Sequence, residues 1–438
     1  MSPVRRLFPK DRAQLAWCLY DWANSAFATS VLAVFLPIYF ARVVVPPQGV
    51  TLPIFGLAWH TEASSLWAYT VSASVLAVIV PAPLVGRLAD EKAARKSFLL
   101  LCASAGALST ASLWACGPGD VFQTLATFAL AYIAFSTSEV FYNAYLPHIA
   151  LPAARDWLSG LGYAYGYVGG GLLLALHLWA LAHRSFLGFE NAPALIRTFF
   201  LSVGIWWAVF SLPCLFWLPP GRRGQAPKTA PSSHPFSKAS LAVYREITSF
   251  PGALLMVCAY FFFNNGIQTV IAMASMYGAT ALQLETTDIA LAFLITQAVA
   301  FPGAVLLSRL AEQWGTKRIL LASIGLWCGI VMAAYRVQSA FQFQVLAAWV
   351  GFILGGSQAL SRSLFSRLIP QGRSAQFFGF FTVGGKFSAL LGPFFFGLVH
   401  DITGRPRWAI LSVLFFFLMG FGLLWRVPSQ EEHSVLSS

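Results

Sequence analysis

Polar side chains that could bind a solute lie inside long apolar segments of this 438-residue chain. Asp21 and Asn24 share one face of the first apolar segment, because residues three apart lie together on a helix. Asn265 and Gln268 repeat this spacing in the first apolar segment of the second half. A charged or amide group inside a membrane costs a few kcal/mol unless it faces a partner or a water-filled cavity. The two pairs therefore predict a polar site within the membrane.

A second matched pair carries opposite charges. Pro147 and Pro370 are each predicted to end an apolar segment, and aligning them places Glu139 opposite Arg362. The pair is either a structural ion pair that locks the two segments together or a solute clamp that breaks and reforms during transport. Lys386 is a further charge within a span, and it either pairs or extends to the membrane interface. The predicted solute-binding residues are Asp21, Asn24, Glu139, Asn143, Asn265, Gln268, Gln358 and Arg362.

A charged loop occurs twice, about half the chain apart. Residues 86–96 read GRLADEKAARK, and residues 308–318 read SRLAEQWGTKR. The acid of each loop can pair with the following basic residues or cap a helix, which would give a latch that exists in one conformation only. The alternative is that the basic residues only set the membrane orientation. The residues concerned are Gly86, Asp90, Arg95, Lys96, Glu312, Lys317 and Arg318.

The composition is that of an integral membrane protein. Hydrophobic residues make up 58% of the chain and charged residues only 10%, against about a quarter charged in soluble domains. Because about 20 apolar residues cross a bilayer, the sequence predicts an all-α protein of about twelve spans in two pseudo-symmetric six-helix bundles. The spans are predicted at 14–41, 64–86, 97–116, 121–145, 158–182, 198–219, 250–278, 288–310, 319–337, 341–367, 376–400 and 408–426. The short apolar segment at Leu52–Trp59 is predicted to be a loop on the outer face.

Charge distribution predicts orientation and domain boundaries. Most Lys and Arg residues fall in one set of connections, which by the positive-inside rule places that side and both termini in the cytoplasm. The expected location is therefore the cytoplasmic membrane. The N-terminal bundle is predicted at 1–219, a Pro/Ser/Lys-rich cytoplasmic linker at 220–249, and the C-terminal bundle with a short tail at 250–438.

Other function classes find little support in the sequence. The Gly-Gly-Lys at 384–386 resembles part of a phosphate-binding loop, but Phe380 and Phe387 stand where that loop needs Gly and Ser or Thr. The six cysteines lie in or beside apolar segments without metal-ligand spacing, and His177 is a lone intramembrane histidine read as a packing or hydrogen-bonding residue. The sequence therefore predicts no enzyme, cofactor, metal site or nucleic-acid partner.

Several motifs together resemble a known family. The loop at 86–96 is similar to the signature loop of the major facilitator superfamily. The segments at 20–27, 141–147, 266–269 and 355–363 resemble the UMF1 family, which is similar to the vacuolar amino-acid effluxers of autophagy. The resemblance implies a major facilitator fold and a secondary transporter, with amino-acid export as its activity. This chain carries amides at Asn265 and Gln376, where the family pattern has acids. The resemblance therefore does not predict proton coupling for this chain.

The leading hypothesis is a monomeric transporter of a small polar solute that works by alternating access in the lipid bilayer, with Arg362 as the holder of a carboxylate or phosphate. The alternative is a transporter-derived sensor or scaffold that binds a ligand without moving it. The sequence fixes neither the substrate nor a coupling ion.

Overall fold

The computed structural model describes residues 8–46, 48–54, 57–61, 63–79, 81–220, 245–282, 284, 286–370, 372–403 and 406–428. Most of the predicted linker at 220–249 lies outside these residues. The first six spans are α1 (Arg12–Val44), α2 (Ala63–Ile79 and Ala82–Glu91), α3 (Arg95–Ser112), α4 (Val121–Ile149), α5 (Arg155–Ala182) and α6 (Ala192–Trp217). The others are α7 (Pro251–Ala281), α8 (Thr286–Trp314), α9 (Thr316–Arg336), α10 (Ala340–Leu368), α11 (Ser374–Thr403) and α12 (Pro406–Arg426).

The helices confirm the predicted membrane fold. Within the described residues, 11 helices are long and apolar enough to cross a membrane. The remaining predicted span, 376–400, lies within the 30-residue helix α11. Span ends differ by a few residues, and Pro147 does not end α4, which continues to Ile149. The spans were recognisable because a bilayer requires both their length and their apolar composition.

Local sequence sets the start of the first helix and changes its form further along. The Asp11 carboxylate accepts a hydrogen bond from the Gln14 backbone N–H at 2.8 Å and caps α1. Residues Phe27–Phe35 within α1 are π-helical, and the Leu36 N–H that follows them donates to the Val31 carbonyl, five residues back.

The segment at Leu52–Trp59, predicted to be a loop, belongs to a pair of strands. β1 (Val50–Ile54) and β2 (Leu57–Thr61) pair in antiparallel orientation.

The two six-helix halves repeat one helix crossing. In the first half, α1 approaches α5 at Gly166, where a Cβ would lie 2.7 Å from Ser25 Oγ and 3.1 Å from Asp21 Oδ1. In the second half, α7 approaches α11 at Gly392, where a Cβ would overlap Thr269 Oγ1. Ser25 and Thr269 are the hydroxyl residues that follow the matched polar pairs of α1 and α7, so the structure places the two sets at equivalent crossings.

The halves meet closely at the end of the bundle that carries both repeated loops, called here the loop end. A Cβ at Gly86 of α2 would overlap the Ala375 carbonyl of α11. A Cβ at Gly379 of α11 would lie 2.7 Å from Pro83 Cα of α2, and one at Gly160 of α5 would overlap Ser308 Oγ of α8. Two helix pairs, α2–α11 and α5–α8, thus close the loop end by backbone-level contact.

Candidate functional site: a buried charge cluster between the halves

Arg362 of α10 lies at the centre of the polar site and is 1% exposed. Its Nε donates to Ser159 Oγ at 2.9 Å, and its Nη2 donates to the Ser159 carbonyl at 2.7 Å. Its Nη1 donates to Asn143 Oδ1 on α4 at 3.1 Å. The guanidinium from the second half therefore donates these hydrogen bonds to α4 and α5 of the first half.

Three aromatic rings surround the same guanidinium. The Arg362 Cζ lies 4.4 Å from the Tyr163 ring centroid, 4.6 Å from Trp17 and 5.3 Å from Tyr142. The Trp17 and Tyr142 rings stack at 4.5 Å, and Trp17 Nε1 donates to the Tyr142 carbonyl at 2.8 Å. A desolvated cation over an aromatic face gains about 2 kcal/mol, which offsets part of the cost of burying the charge.

Asp21 of α1 supplies negative charge to this cluster through Tyr142. The Tyr142 hydroxyl donates to Asp21 Oδ2 at 3.1 Å, and Ser25 Oγ donates to Oδ1 at 3.4 Å. Asp21 is 9% exposed and lies within electrostatic range of Arg362. The site thus holds a carboxylate and a guanidinium from different halves, linked by one phenol.

The predicted pairing of Glu139 with Arg362 is wrong. Glu139 Oε2 lies 3.2 Å from Lys386 Nζ of α11, and Arg362 is held by Asn143, one turn nearer the loop end on α4. The proline alignment fixed depth along the helices but carried no information on the rotation of each helix. The partner of Glu139 is Lys386. Pairing was one of the two alternatives predicted for this lysine.

The predicted amide residues have different surroundings. Gln358 accepts a hydrogen bond from the Tyr167 hydroxyl at 3.3 Å, across the two halves. Asn24 is buried in α1, and Gln268 is partly buried in α7. Asn265 is completely buried, and its side-chain nitrogen donates to the Phe261 carbonyl of its own helix at 3.4 Å. The structure therefore brings Asn143 and Gln358 into contacts across the halves but gives Asn265 a contact within α7.

The site includes residues that the sequence analysis did not select: Trp17, Tyr142, Ser159 and Tyr163. Tyr142 stands between Glu139 and Asn143 in the segment 141–147, so its position was a usable signal. Ser159 carried no comparable signal in the sequence, because a serine near a helix start is common at packing positions.

The first repeated loop forms contacts across the loop end. Arg95 Nε donates to Asp90 Oδ1 at 2.5 Å, which is the predicted pair. Asp90 Oδ2 accepts from the Gln376 backbone N–H at 3.0 Å, so Asp90 caps α11 of the other half rather than the next helix, α3. Arg95 also contacts His148 Nε2 at 2.7 Å, and Lys96 donates to the Leu218 carbonyl at 2.8 Å.

Near the second loop, the carboxylate that forms hydrogen bonds between the two halves belongs to Asp156 of α5. Its Oδ2 accepts from Arg367 Nη2 at 2.6 Å and from Thr316 Oγ1 at 2.8 Å. The sequence analysis missed Asp156 because it lies outside the repeated motif. Glu312 and Arg318 are exposed and Lys317 is partly buried, and their role as a latch stays a prediction.

Gln376, one of the two amides that depart from the family pattern, has a direct structural explanation. Its Nε2 donates to Glu246 Oε2 at 2.7 Å, and Glu246 also pairs with Arg373. A carboxylate at position 376 would face the Glu246 carboxylate and repel it. The amide is therefore the residue type that matches Glu246 at the start of α11.

A separate apolar depression of about 380 Å³, largely open on one side, lies beside His177, between α5 and α6. His177 Nε2 contacts Ser202 Oγ at 2.8 Å and Nδ1 contacts Ser30 Oγ at 3.2 Å. Both ring nitrogens have hydroxyl partners, which agrees with the prediction of a hydrogen-bonding residue.

Comparison with known proteins places nearly the whole chain in one family. Residues 10–434 match the family model described as "Vacuole effluxer Atg22 like". The chain is 28% identical to the uncharacterized MFS-type transporter YxiO of Bacillus subtilis, over 96% of both chains. It is 24% identical to autophagy-related protein 22 of Pichia angusta, over 96% of this chain and 92% of that protein.

Solved structures show the same fold at low sequence identity. The human organic anion transporter MFSD10 aligns with a TM-score of 0.71 at 17% identity, covering 97% of this chain and 100% of that one. The major facilitator transporter FucP in its outward conformation aligns with a TM-score of 0.70 at 13% identity, covering 96% and 99%. The chain therefore belongs to the Atg22-like vacuole effluxer family and is a membrane transporter of the major facilitator superfamily.

Proposed function

We propose that this transporter exports small zwitterionic solutes, with amino acids as the first class to test. The observation that carries the proposal is the linked pair of Asp21 and Arg362 in a buried, aromatic-walled site between the two halves. A solute with a carboxylate and an ammonium group can satisfy a guanidinium and a carboxylate at once, without leaving an unpaired charge in the membrane.

The proposed mechanism is alternating access by movement of the two bundles around this site. The loop end is closed by the α2–α11 and α5–α8 contacts and by the carboxylates of Asp90 and Asp156. Opening that end requires these contacts to break together, and the buried site would then face the opposite side. The chain is proposed to act as a monomer in the cytoplasmic membrane, with the loop end and both termini inside.

Uptake of radiolabelled amino acids into proteoliposomes tests the proposal. Wild-type protein is expected to move at least one amino acid faster than empty liposomes, and Arg362→Ala is expected to lower the rate at least about tenfold, because the buried guanidinium has no substitute there. Arg362→Lys keeps the charge but loses the planar geometry, so a substantial loss is expected for this variant too.

Arg184→Ala provides the matched control, since Arg184 is exposed in the α5–α6 connection. It removes one arginine charge outside the site and is expected to transport at the wild-type rate. Absence of amino-acid movement by the wild-type protein, in either direction of a solute gradient, would reject amino acids as the solute.

A further inference from the structure

A second charge pair inside the bundle differs from the Asp21–Arg362 cluster in being accessible. The side chains of Glu139 and Lys386 are 33% and 18% exposed, whereas Arg362 is almost completely buried. Glu139 shares its face of α4 with Asn143, which contacts Arg362 of the second half. Because Glu139 lies on α4 and Lys386 on α11, the pair lies at the boundary between the two halves.

The two cations differ in how firmly they are held. Arg362 makes three hydrogen bonds and lies against three rings. Lys386 contacts the Glu139 carboxylate and lies 5.3 Å from the Tyr132 ring centroid and 5.5 Å from that of Phe135. An ammonium on a flexible stem has three donors and reorients easily. Of the two cations, Lys386 is therefore the more exposed and the less firmly held, and the better placed to receive an anionic group at the boundary between the halves.

Two acidic and two basic side chains lie close enough to Tyr163 to act on it electrostatically. They are Asp21, Glu139, Arg362 and Lys386. An unpaired charge at this depth costs several kcal/mol. A zwitterionic solute that displaces Glu139 from Lys386 can satisfy the displaced carboxylate with its own cationic group.

We propose that Lys386 is the contact for the anionic group of the solute and that Glu139 is the resident counter-ion that the solute displaces. This inference rests on the proposed transport function and assigns the residues that receive the solute in the accessible state. Because the pair joins α4 to α11, replacing it by solute changes a contact between the halves and links binding to their movement.

Isothermal titration of the purified full-length protein tests this assignment. The probes are the standard L-amino acids, acetate, lactate and inorganic phosphate, and the variants are Lys386→Met and Glu139→Gln. Lys386→Met is expected to raise the Kd at least about tenfold for every probe that wild type binds. Glu139→Gln is expected to lower the Kd of the simple anions about tenfold, because their resident competitor is gone.

The double variant Glu139→Gln/Lys386→Met separates a binding role from a structural one. It leaves no unpaired charge, so its melting temperature is expected to be close to that of wild type, while its binding stays as weak as that of Lys386→Met. Recovery of wild-type binding in the double variant would assign the pair a structural role and overturn the inference.

The remaining outcomes distinguish the two proposals. Unchanged Kd values in Lys386→Met, or weaker anion binding in Glu139→Gln, would overturn this inference alone. Lys386-dependent binding of simple anions without any amino-acid transport would support it and reject amino acids as the solute. If wild type binds none of the probes, both proposals fall.

Discussion

At the scale of single residues, the site is organised by aromatic side chains more than by ion pairs. Trp17, Tyr142 and Tyr163 cover the faces of a buried guanidinium whose in-plane donors contact Ser159 and Asn143. Among the residues that the structure describes, no carboxylate forms a salt bridge with this cation. A direct ion pair would bind the charge more firmly and leave less gain for an entering carboxylate.

Tyr142→Phe tests the phenol that links Asp21 to the cluster. The variant keeps the stack on Trp17 but removes the hydrogen bond to Asp21 Oδ2. Because Asp21 Oδ2 then loses its donor, we expect about 1–3 kcal/mol lower stability and at least about tenfold slower transport. Thermal unfolding and proteoliposome flux are the measurements.

Tyr145→Phe serves as the control for this variant. Tyr145 lies on the same helix as Tyr142, and its hydroxyl donates to the Pro219 carbonyl at 3.2 Å and not to Asp21. It is expected to lower stability by a similar amount with little change in flux per folded molecule. Equal flux loss in both variants would contradict a specific role for the Tyr142 hydroxyl.

At the scale of elements, the start of α11 carries a main polar contact between the two halves at the loop end. Asp90 accepts from its backbone, Glu246 accepts from the Gln376 side chain, and Arg373 pairs with Glu246. Negative charge at a helix N-terminus is favourable. Two carboxylates from outside α11 therefore stabilise one helix end, and the contact of Asp90, which lies on α2, must break before α11 can separate from α2.

Gln376→Glu tests the contact between Gln376 and Glu246 at the start of α11. The new carboxylate would face Glu246 and lose the present hydrogen bond, so we expect about 1–3 kcal/mol lower stability of the start of α11. Adding Glu246→Gln restores a donor and acceptor pair and is expected to recover most of the loss. Hydrogen exchange of the α11 N-terminus reports the effect, and failure of the second substitution to rescue would contradict the Gln376–Glu246 explanation.

At the scale of the whole molecule, the sequence predicted the membrane fold well and the site only in part. The bilayer imposes length and apolar composition on each span, so spans were visible without contacts. Which charges meet depends on helix rotation and tilt, which hydropathy does not record. Arg362 was correctly selected, yet Asn143 rather than Glu139 contacts it, and Asp156 was missed because its partners come from α9 and α10.

Closure of the loop end depends on glycines at the two crossings between the halves. Larger residues at these glycines are therefore predicted to open that end. Gly86→Val introduces a side chain where the Ala375 carbonyl now packs, and Gly160→Val does the same against Ser308. Since neither side can yield without separating the helices, both variants are expected to favour a state open at the loop end. Gly171→Val is the control, because a Cβ at Gly171 would meet nothing within 4 Å.

Spin labels at Lys92 and Arg318, placed on a cysteine-free background, measure the distance between the halves at the loop end. Both positions are exposed and belong to different halves. Gly86→Val and Gly160→Val are expected to lengthen this distance by several ångströms while Gly171→Val leaves it unchanged. If the two interfaces open together, either substitution alone will shift the whole population, because the bundles move as rigid bodies. A shift confined to the substituted crossing would instead show local helix bending, and alternating access by rigid movement of the bundles would then be contradicted.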